Sequence, residues 1–552
     1  MLLLLLLILP NIALYMEVGD LSSFLLSILL YAFLLSVLKN TKYLIIFTPF
    51  YFIIPFAIYY IYFYGSAINE QIVGIVLETN NQELLQFLGY RIFIYLFLFL
   101  VYFFLIIYLL YKNSIRSIVW EHRSRSWVLI VTSIFIVFII LINSRGQLNT
   151  NEFVSDNFLS TEKNDFIQEI KKTYPIGLVV SFYDFYQEQK KINHTFEMNK
   201  NYQFNIKENM GVNKTKQIYI LVIGETSRRH NWSLSGYNRK TNPLLYQQKN
   251  LVYFDNMISI SSATRSSIPM IITRKPAQQV FQYDFPERSI ISAFKEVGFS
   301  TYWISTQQKF GAFDTSTSVY AKEADYMLFL NKTSYTNKGE TDEVILPELK
   351  KAIEYSGNKK FIVIHTLGSH YNYIHRYTKD FNVFRPSLND IDHYSLQDKK
   401  NKTQLTNSYD NSILYTDYVL NKIIETLKNE KNTESFLFYS SDHGEDLFDN
   451  DCEKSGHGNT TIYNYEIAAF AWYSDLYQEK NSEKINWLKR NKQRKINQTS
   501  IFPTLIDAAN LKIPNDSLDK SILKDFRDYP RLVSGGVDFD KTQSKGICKE
   551  IQ

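Results

Sequence analysis

The distribution of apolar residues divides the chain into two parts of different character. Four long runs near the start contain no charged residue: Leu21–Leu38, Tyr43–Tyr64, Ile92–Tyr111 and Trp127–Ile142. A helix needs about 20 apolar residues to cross a bilayer, so each run is predicted to be a transmembrane helix. Core helices of a soluble protein would not account for four uncharged runs of this length.

A shorter apolar run, Leu2–Met16, precedes these four and contains Pro10. A signal peptide is the alternative interpretation, but the basic start and the small-residue cleavage site of such peptides are missing. We interpret the run as the first span. Residues 1–144 are therefore predicted to form a transmembrane domain of five helices.

The loop charges predict the orientation of these helices. The loop Gly65–Leu85 carries acidic residues and no basic ones, whereas the loops after the second and fourth runs are basic, with Lys39, Lys42, Lys112, Arg116, Arg123 and Arg125. Because basic loops stay in the cytoplasm, the chain after about residue 144 is expected outside the inner membrane, in the periplasm of a Gram-negative cell. The loop Gly65–Leu85 is either an amphipathic helix at the outer interface, through Ile68, Ile72, Ile75 and Val76, or a plain connector.

The rest of the chain has the pattern of a water-exposed domain. Residues 145–215 are polar and are predicted to be a linker with bridging helices. From residue 216 onward, short apolar runs alternate with longer mixed segments, and the runs are Ile218–Ile223, Thr301–Ile304, Phe361–His365, Phe436–Tyr439 and Ile467–Trp472. Helices are predicted between them at Ile290–Val297, Val344–Tyr355, Tyr409–Lys428 and Thr499–Ala508. This alternation predicts an α/β domain with a mainly parallel sheet over residues 216–552.

Charge and cysteine content add two limits. A net charge of +5 over 552 residues is too small and too scattered to indicate a nucleic-acid partner. The two cysteines, Cys452 and Cys548, allow at most one disulfide, and the sequence does not decide whether they pair.

Side chains that bind metals follow several of the predicted strands. They are Glu225, His370, Asp442 and His443, with His457 fourteen residues further on. Ligands bind beyond the carboxyl ends of parallel strands, and an oxygen and imidazole set without a cysteine cluster suits zinc or manganese. A lone Asp-His pair would more often be a turn with a helix cap, but its combination with the other three residues favours a metal site.

Several segments together resemble the phosphoethanolamine transferases of the alkaline phosphatase/sulfatase superfamily. Five membrane spans before the catalytic domain are also similar to that family. The segments follow the order of the family's motifs and are Gly224–His230, Leu234–Arg239, Thr241–Pro243, His365–His370, Tyr409–Ile413 and Ser441–Glu445.

The resemblance implies roles for individual residues. It places a threonine nucleophile at Thr264, in the loop Ser261–Pro269, and it implies one zinc ion held by Glu225, Thr264, Asp442 and His443. It also implies that His370 and His457 bind the substrate phosphate or a second metal. Thr226 is a poorer nucleophile candidate because Glu225 already occupies that strand end. The neighbouring serines, Ser262, Ser266 and Ser267, are more simply read as loop or helix-capping residues.

The activity that the resemblance implies is transfer of phosphoethanolamine from phosphatidylethanolamine to an envelope acceptor through a covalent threonine intermediate. The acceptor would be lipid A, lipopolysaccharide core or another glycan. Alternatives are a glycerol-phosphate transferase or a phosphodiesterase of the same superfamily, and, in another class, a non-catalytic membrane binding module. Several family members have cysteines beside the nucleophile loop. This loop has none, so its rigidity is expected to come from packing.

Overall fold

The structure is a computed structural model that describes residues 2–19, 21–64, 67–78, 91–135, 165–208, 215–282, 285–308, 316–331, 340–392, 394 and 398–551. The described residues form two compact units, one reaching as far as Glu188 and the other starting at Gln189. The predicted domain boundaries at residues 144 and 215 stay predictions beside this division.

The first unit is helical. Its helices are α1 Leu2–Val18, α2 Leu21–Leu38, α3 Thr48–Tyr64, α4 Glu70–Glu78, α5 Arg91–Ile115, α6 Ser124–Phe135 and α7 Asp165–Lys172, with a 3₁₀ turn Thr41–Phe47 leading into α3. A further helix, α8 Ile176–Met198, begins in this unit and continues past its last residue, Glu188. Each of the five predicted spans contains a helix, although residues 136–142 of the last one lie outside the described residues. Within the described ranges, two segments, Thr41–Tyr62 and Leu96–Ile115, are long and apolar enough to cross a membrane on their own. The count of five spans therefore stays a prediction.

Two polar side chains buried in this apolar unit, those of Asn11 and Tyr31, bond to Tyr174. Asn11, in the middle of α1, donates from Nδ2 to the carbonyl of Tyr174 at 3.0 Å and accepts from the Tyr174 amide at 2.8 Å. The hydroxyl of Tyr31 lies 2.9 Å from the same carbonyl. An unpaired polar group is costly in an apolar medium, so these contacts fix the segment before α8 against α1 and α2.

A seven-stranded sheet forms the centre of the second unit. In chain order its strands are β1 Lys216–Gly224, β2 Leu251–Tyr253, β3 Ser300–Gln308, β4 Tyr326–Asn331, β5 Lys359–His365, β6 Thr433–Ser441 and β7 Ala469–Tyr473. Their spatial order is β2-β7-β6-β1-β5-β3-β4. The five strands from β6 to β4 are parallel, and β7 runs antiparallel to both of its neighbours.

The central strand β1 is buried on both faces, as expected for a parallel strand covered by helices on both sides. Tyr219, Leu221 and Ile223 belong to the core on one face of the sheet, and Ile218, Ile220 and Val222 to the core on the other. This arrangement explains the unbroken apolar run in the sequence.

Helices cover both faces. They are α9 Thr264–Ile272, α10 Ile290–Glu296, α11 Ser316–Ala321, α12 Ile345–Glu354, α13 Lys402–Lys428, α14 Ile462–Tyr465, α15 Asp475–Lys480, α16 Ser482–Asn491 and α17 Ile501–Ala508. Short ladders pair Lys207–Glu208 with Leu511–Lys512, Met257–Ile258 with Ile496–Asn497, Asp446–Leu447 with Ser455–Gly456, and Leu532–Val533 with Val537–Asp538.

The prediction of an α/β unit with a mainly parallel sheet is confirmed. All five predicted strands and all four predicted helices are present, with ends that differ by up to seven residues, the largest difference being the start of α13 at Lys402. The sequence analysis missed two edge strands, β2 and β4. It also gave no direction for β7, because an apolar run does not encode whether a strand is parallel or antiparallel.

Candidate active site

Two neighbouring strands carry the acidic residues of the site. Gly224 at the end of β1 is paired with Ser441 at the end of β6, so Glu225 and Asp442 leave the sheet at the same edge. Asp442 Oδ1 accepts hydrogen bonds from the amides of Thr226 at 3.0 Å and His443 at 2.7 Å. These two bonds fix the orientation of the Asp442 carboxylate, and the first of them links the segments that follow β6 and β1.

Thr264 meets these residues from a different element. It is the first residue of α9, after Ala263 at the N-cap. Its hydroxyl oxygen lies 2.7 Å from Asp442 Oδ2, 3.2 Å from Glu225 Oε2 and 3.2 Å from His443 Nε2. The four residues that the resemblance assigned to zinc are therefore brought together around one point.

The donor set suits a divalent cation. Ligand atoms of Glu225, Asp442 and His443 lie within 4.8 Å of one another, and all three side chains are almost completely buried. Two carboxylates, one imidazole and one hydroxyl match the oxygen and nitrogen ligands that zinc accepts. Burying two carboxylates this close together is costly unless a cation lies between them.

The pKa values of the cluster reflect the repulsion between these two buried carboxylates. Burial, and then the charge of Glu225, raises the pKa of Asp442 to about 7. Burial works against the protonated form of His443, yet Asp442 and Glu225 raise the pKa of His443 to about 10. Burial also works to raise the pKa of Glu225, but the hydrogen bond and charge of His443 lower it below its ordinary value. A positive charge between the two carboxylates would relieve this repulsion.

The loop after β5 supports Glu225. Ser369 donates its amide to the carbonyl of Glu225 at 3.0 Å, and Gly368 has a φ of +49° with its Cα against the Glu225 backbone, where a Cβ would come within 2.7 Å of a backbone oxygen. Gln307 at the end of β3 donates from Nε2 to Glu225 Oε2 at 3.1 Å and to the carbonyl of Thr366 at 2.9 Å. Thr226 donates its hydroxyl to Glu225 Oε1 at 2.7 Å.

The loop Ser261–Pro269, which carries Thr264, is held by hydrogen bonds. The hydroxyls of Ser261 and Ser266 lie 2.6 Å apart, and Ser267 donates to the carbonyl of Ser261 at 3.1 Å. Gln498 accepts from the amide of Ile260 at 2.9 Å and donates to the carbonyl of Asp442 at 2.6 Å. One glutamine therefore links the start of the Thr264 loop to the end of β6.

His370 and His457 lie beside the ligand cluster. The ring of His457 is centred 4.6 Å from that of His443 and 5.5 Å from that of His370. His370 Nδ1 lies 2.7 Å from the carbonyl of Tyr371. His457 Nδ1 lies 3.5 Å from Glu445 Oε2, and Glu445 Oε1 accepts from the hydroxyl of Tyr373 at 3.0 Å. Both histidines are half-buried, and the His457 ring lies next to that of His443, which is itself 3.2 Å from the Thr264 hydroxyl.

Other motif residues form the frame of the site. Asp410 on α13 accepts from Asn231 Nδ2 at 2.6 Å, from the Tyr237 hydroxyl at 2.9 Å and from Arg239 at 2.7 Å. This network ties together two segments about 170 residues apart in the chain. A second residue of α13, Tyr409, donates its hydroxyl to the carbonyl of Thr226 at 2.7 Å and accepts from the Arg228 amide.

His365 opens one of the motifs but lies at the end of β5, fully buried against Trp303. Burial lowers the pKa of His365 to about 4, which keeps the imidazole neutral at ordinary pH. The sequence analysis missed three residues that act on the site, namely Gln307, Gln498 and, as a partner of His457, Glu445. A glutamine gives no spacing signal, so its contribution becomes visible only through its contacts.

Comparisons with known proteins follow the division of the chain. The family model described as Sulfatase matches residues 217–511, and the model described as Phosphoethanolamine transferase EptA/EptB matches residues 23–150. Phosphoethanolamine transferase EptC of Escherichia coli (strain K12) is 24% identical over 496 residues, which cover 86% of this chain and 81% of that protein. Phosphoethanolamine transferase EptA of the same strain is 32% identical over 305 residues, 53% of each chain.

Solved structures agree with this division. The C-terminal periplasmic domain of EcEptC from Escherichia coli, in complex with zinc, has a TM-score of 0.55 and 26% identity, covering 61% of this chain and 96% of that one. The integral membrane protein lipooligosaccharide phosphoethanolamine transferase A (EptA) from Neisseria meningitidis has a TM-score of 0.67 and 18% identity, covering 92% and 91%. At that identity the second likeness shows the fold alone.

Proposed function

We propose that this chain, which belongs to the sulfatase family and within it to the phosphoethanolamine transferases, transfers phosphoethanolamine to an acceptor of the bacterial envelope. The observation that carries the proposal is the position of Thr264. Its hydroxyl lies 2.7 to 3.2 Å from side-chain atoms of Asp442, Glu225 and His443 and stays partly exposed. A nucleophile that is both activated and reachable is what group transfer requires.

A zinc ion is part of the proposal, and Glu225, Thr264, Asp442 and His443 would hold it. Bound there, it would lower the pKa of the threonine hydroxyl and offset the negative charge that develops on the phosphoryl oxygens. The relative crystallised with zinc, the periplasmic domain of EcEptC, supports the choice of metal.

The chain's own residues divide the reaction into two steps. Thr264 Oγ1 forms a bond to the phosphorus of phosphatidylethanolamine, and the bond from phosphorus to the diacylglycerol oxygen breaks. Diacylglycerol leaves with a proton, and phosphoethanolamine remains on Thr264. An acceptor hydroxyl or phosphate then attacks the phosphorus and frees Thr264. His370 and His457, which are half-buried beside the cluster, would give the first proton and take the second.

The first unit would anchor the chain in the inner membrane. Its five apolar helices would span the inner membrane, with basic loops inside, which places the catalytic unit in the periplasm. Because the donor is a lipid, the active unit has to stay near the bilayer, and a membrane anchor on the same chain ensures this. For the acceptor we propose lipid A or the lipopolysaccharide core, in line with the relative named Kdo(2)-lipid A phosphoethanolamine 7''-transferase.

Mass spectrometry of envelope glycolipids tests the proposal. Cells that express the chain should carry phosphoethanolamine on lipid A or core sugars, and cells expressing Thr264→Ala should not. The loss should be about 10⁴-fold or more in rate, because the covalent route is removed. Thr264→Ser should keep part of the activity, since it offers the same oxygen.

Thr226→Ala is the matched control. It removes the neighbouring hydroxyl that donates to Glu225 and should have a much smaller effect. The nucleophile is misassigned if Thr226→Ala abolishes transfer in a folded, zinc-loaded protein while Thr264→Ala does not. Glycolipids that do not differ between cells with and without the chain would contradict the proposed acceptor class.

A further inference from the structure

One loop of the site is a small hairpin that carries His457. We call residues 445–457 the site hairpin. It begins at Glu445, forms two short strands in which Ser455 pairs with Leu447 and Gly456 pairs with Asp446, and ends at His457. Directly after it, Gly458 donates its amide to the carbonyl of Ser262 in the nucleophile loop at 3.0 Å. The position of this hairpin therefore sets the position of His457, whose ring is centred 4.6 Å from that of His443.

The site hairpin has few bonds of its own. Its two strands have two residues each, and two-stranded hairpins are at best marginally stable alone. Its tip contains three residues in the left-handed conformation, Phe448, Asn450 and Asp451, which is costly for residues other than glycine. Something outside the hairpin has to hold this shape.

Residues 545–551, which we call the bracing segment, provide part of those contacts, beside the ion pairs of Arg228 with Asp449 and of Lys399 with Glu453. Cys548 forms a disulfide with Cys452 at the tip of the site hairpin, and Glu550 forms an ion pair with Lys454. Beyond His457, the Ile462 amide donates to the carbonyl of Lys549 at 3.1 Å and the Ile551 amide donates to the carbonyl of Thr460 at 2.8 Å. The bracing segment therefore contacts the chain both before and after His457.

We propose that the bracing segment, through the disulfide between Cys452 and Cys548, positions His457 for proton transfer; the catalytic part of this inference rests on the proposed function. The two cysteines are 96 residues apart, so their link ties the tip of the site hairpin to a distant part of the chain. Displacing a catalytic group by about 1 Å can cost up to about 10²-fold in rate. Cys452 and Cys548 are positioning residues in this scheme, and the zinc ligands do not depend on them.

The test compares the full-length, zinc-loaded protein with its Cys452→Ser/Cys548→Ser variant. The 4-nitrophenyl ester of phosphoethanolamine serves as a soluble donor. We expect kcat to fall about 10- to 100-fold while zinc content and KM stay within about twofold. Lys541→Ala is the control. Lys541 is exposed, and it forms an ion pair with Asp538, which is not part of the site hairpin.

A double-mutant cycle separates positioning from general stability. If the disulfide acts through His457, the double cysteine substitution should cost little further activity in a His457→Ala background. Equal losses with and without His457 would overturn the positioning role. So would an unchanged kcat in the double cysteine variant.

Hydrogen exchange gives a readout that needs no catalysis. Removal of the disulfide should speed exchange at the amides of Gly458 and Ile462, while the amide of Thr226, which donates to Asp442, should keep its protection. Unchanged protection at Gly458 and Ile462 would overturn the brace. If the wild-type protein does not cleave the ester at all, the proposed function fails, and the exchange result still decides whether the bracing segment holds the site hairpin.

Discussion

Two regions of the active site meet at Thr264 and are built in different ways. Glu225, Asp442 and His443 follow central strands of the sheet and are 1%, 0% and 0% exposed. On the open side, His457 has a side chain that is 25% exposed and belongs to a hairpin. The comparison teaches that the proposed metal-binding half is fixed by the fold itself, whereas the proposed proton-transfer half depends on loops and on the contacts that hold them.

Loss of the metal-binding half should have the largest effect. Asp442→Ala removes a carboxylate that touches Thr264 and two backbone amides, so we expect zinc to fall to a small fraction of one equivalent and transfer to fall about 10⁴-fold or more. Chelation of wild-type zinc should lower its melting temperature, because bound metal stabilises the folded state. Metal analysis and calorimetry are the measurements, and full zinc content in Asp442→Ala would show that the ligands are misassigned.

Substitution of His457 or His370 should have an intermediate effect on the rate of transfer. His457→Ala or His370→Ala removes a proton-transfer group, which typically costs about 10²- to 10⁴-fold in rate, and neither change should remove zinc. His194→Ala is the control, because His194 is exposed and lies on α8. Loss of zinc in either of the first two variants would mean that the two halves are not separate, and that these histidines take part in metal binding.

The same comparison explains what the sequence could predict. Glu225, Asp442 and His443 each come shortly after an apolar run, so the position of a strand also indicated the position of its chemistry. Thr264 lies at the start of a helix, after a polar loop, and no periodicity indicates it. It was reached only through the family resemblance, because a threonine among serines carries no signal of its own.

Long-range contacts account for the rest. Gln307 and Gln498 support the site through single amide groups that reach different loops, and the sequence has no pattern that reports such contacts. The pairing of Cys452 with Cys548 was left open by the sequence for the same reason. Rigidity was expected from packing, and the nucleophile loop does hold itself by hydrogen bonds, but the site hairpin is held by a disulfide.

Two tyrosines that pack against each other, one near each half of the site, test whether the halves are independent. Their substitution has the smallest expected effect. Tyr373 and Tyr409 pack edge to face with their ring centres 5.2 Å apart, and both are buried. The Tyr373 hydroxyl donates to Glu445, the partner of His457. The Tyr409 hydroxyl donates to the carbonyl of Thr226, beside the ligand Glu225.

Replacing each by phenylalanine removes one hydroxyl and leaves the ring. Each change should cost about 1–3 kcal/mol of stability, since a buried partner is left without its donor. Tyr373→Phe should lower kcat by roughly two- to tenfold with zinc affinity unchanged, because it loosens Glu445 and through it His457. Tyr409→Phe should weaken zinc binding instead, because it loosens the turn that carries Glu225. Zinc titration and steady-state kinetics on both variants would show the two patterns. If both variants change zinc affinity and kcat in the same proportion, the tyrosine pair couples the two regions. Metal binding and proton transfer are then not independent of each other at these two residues.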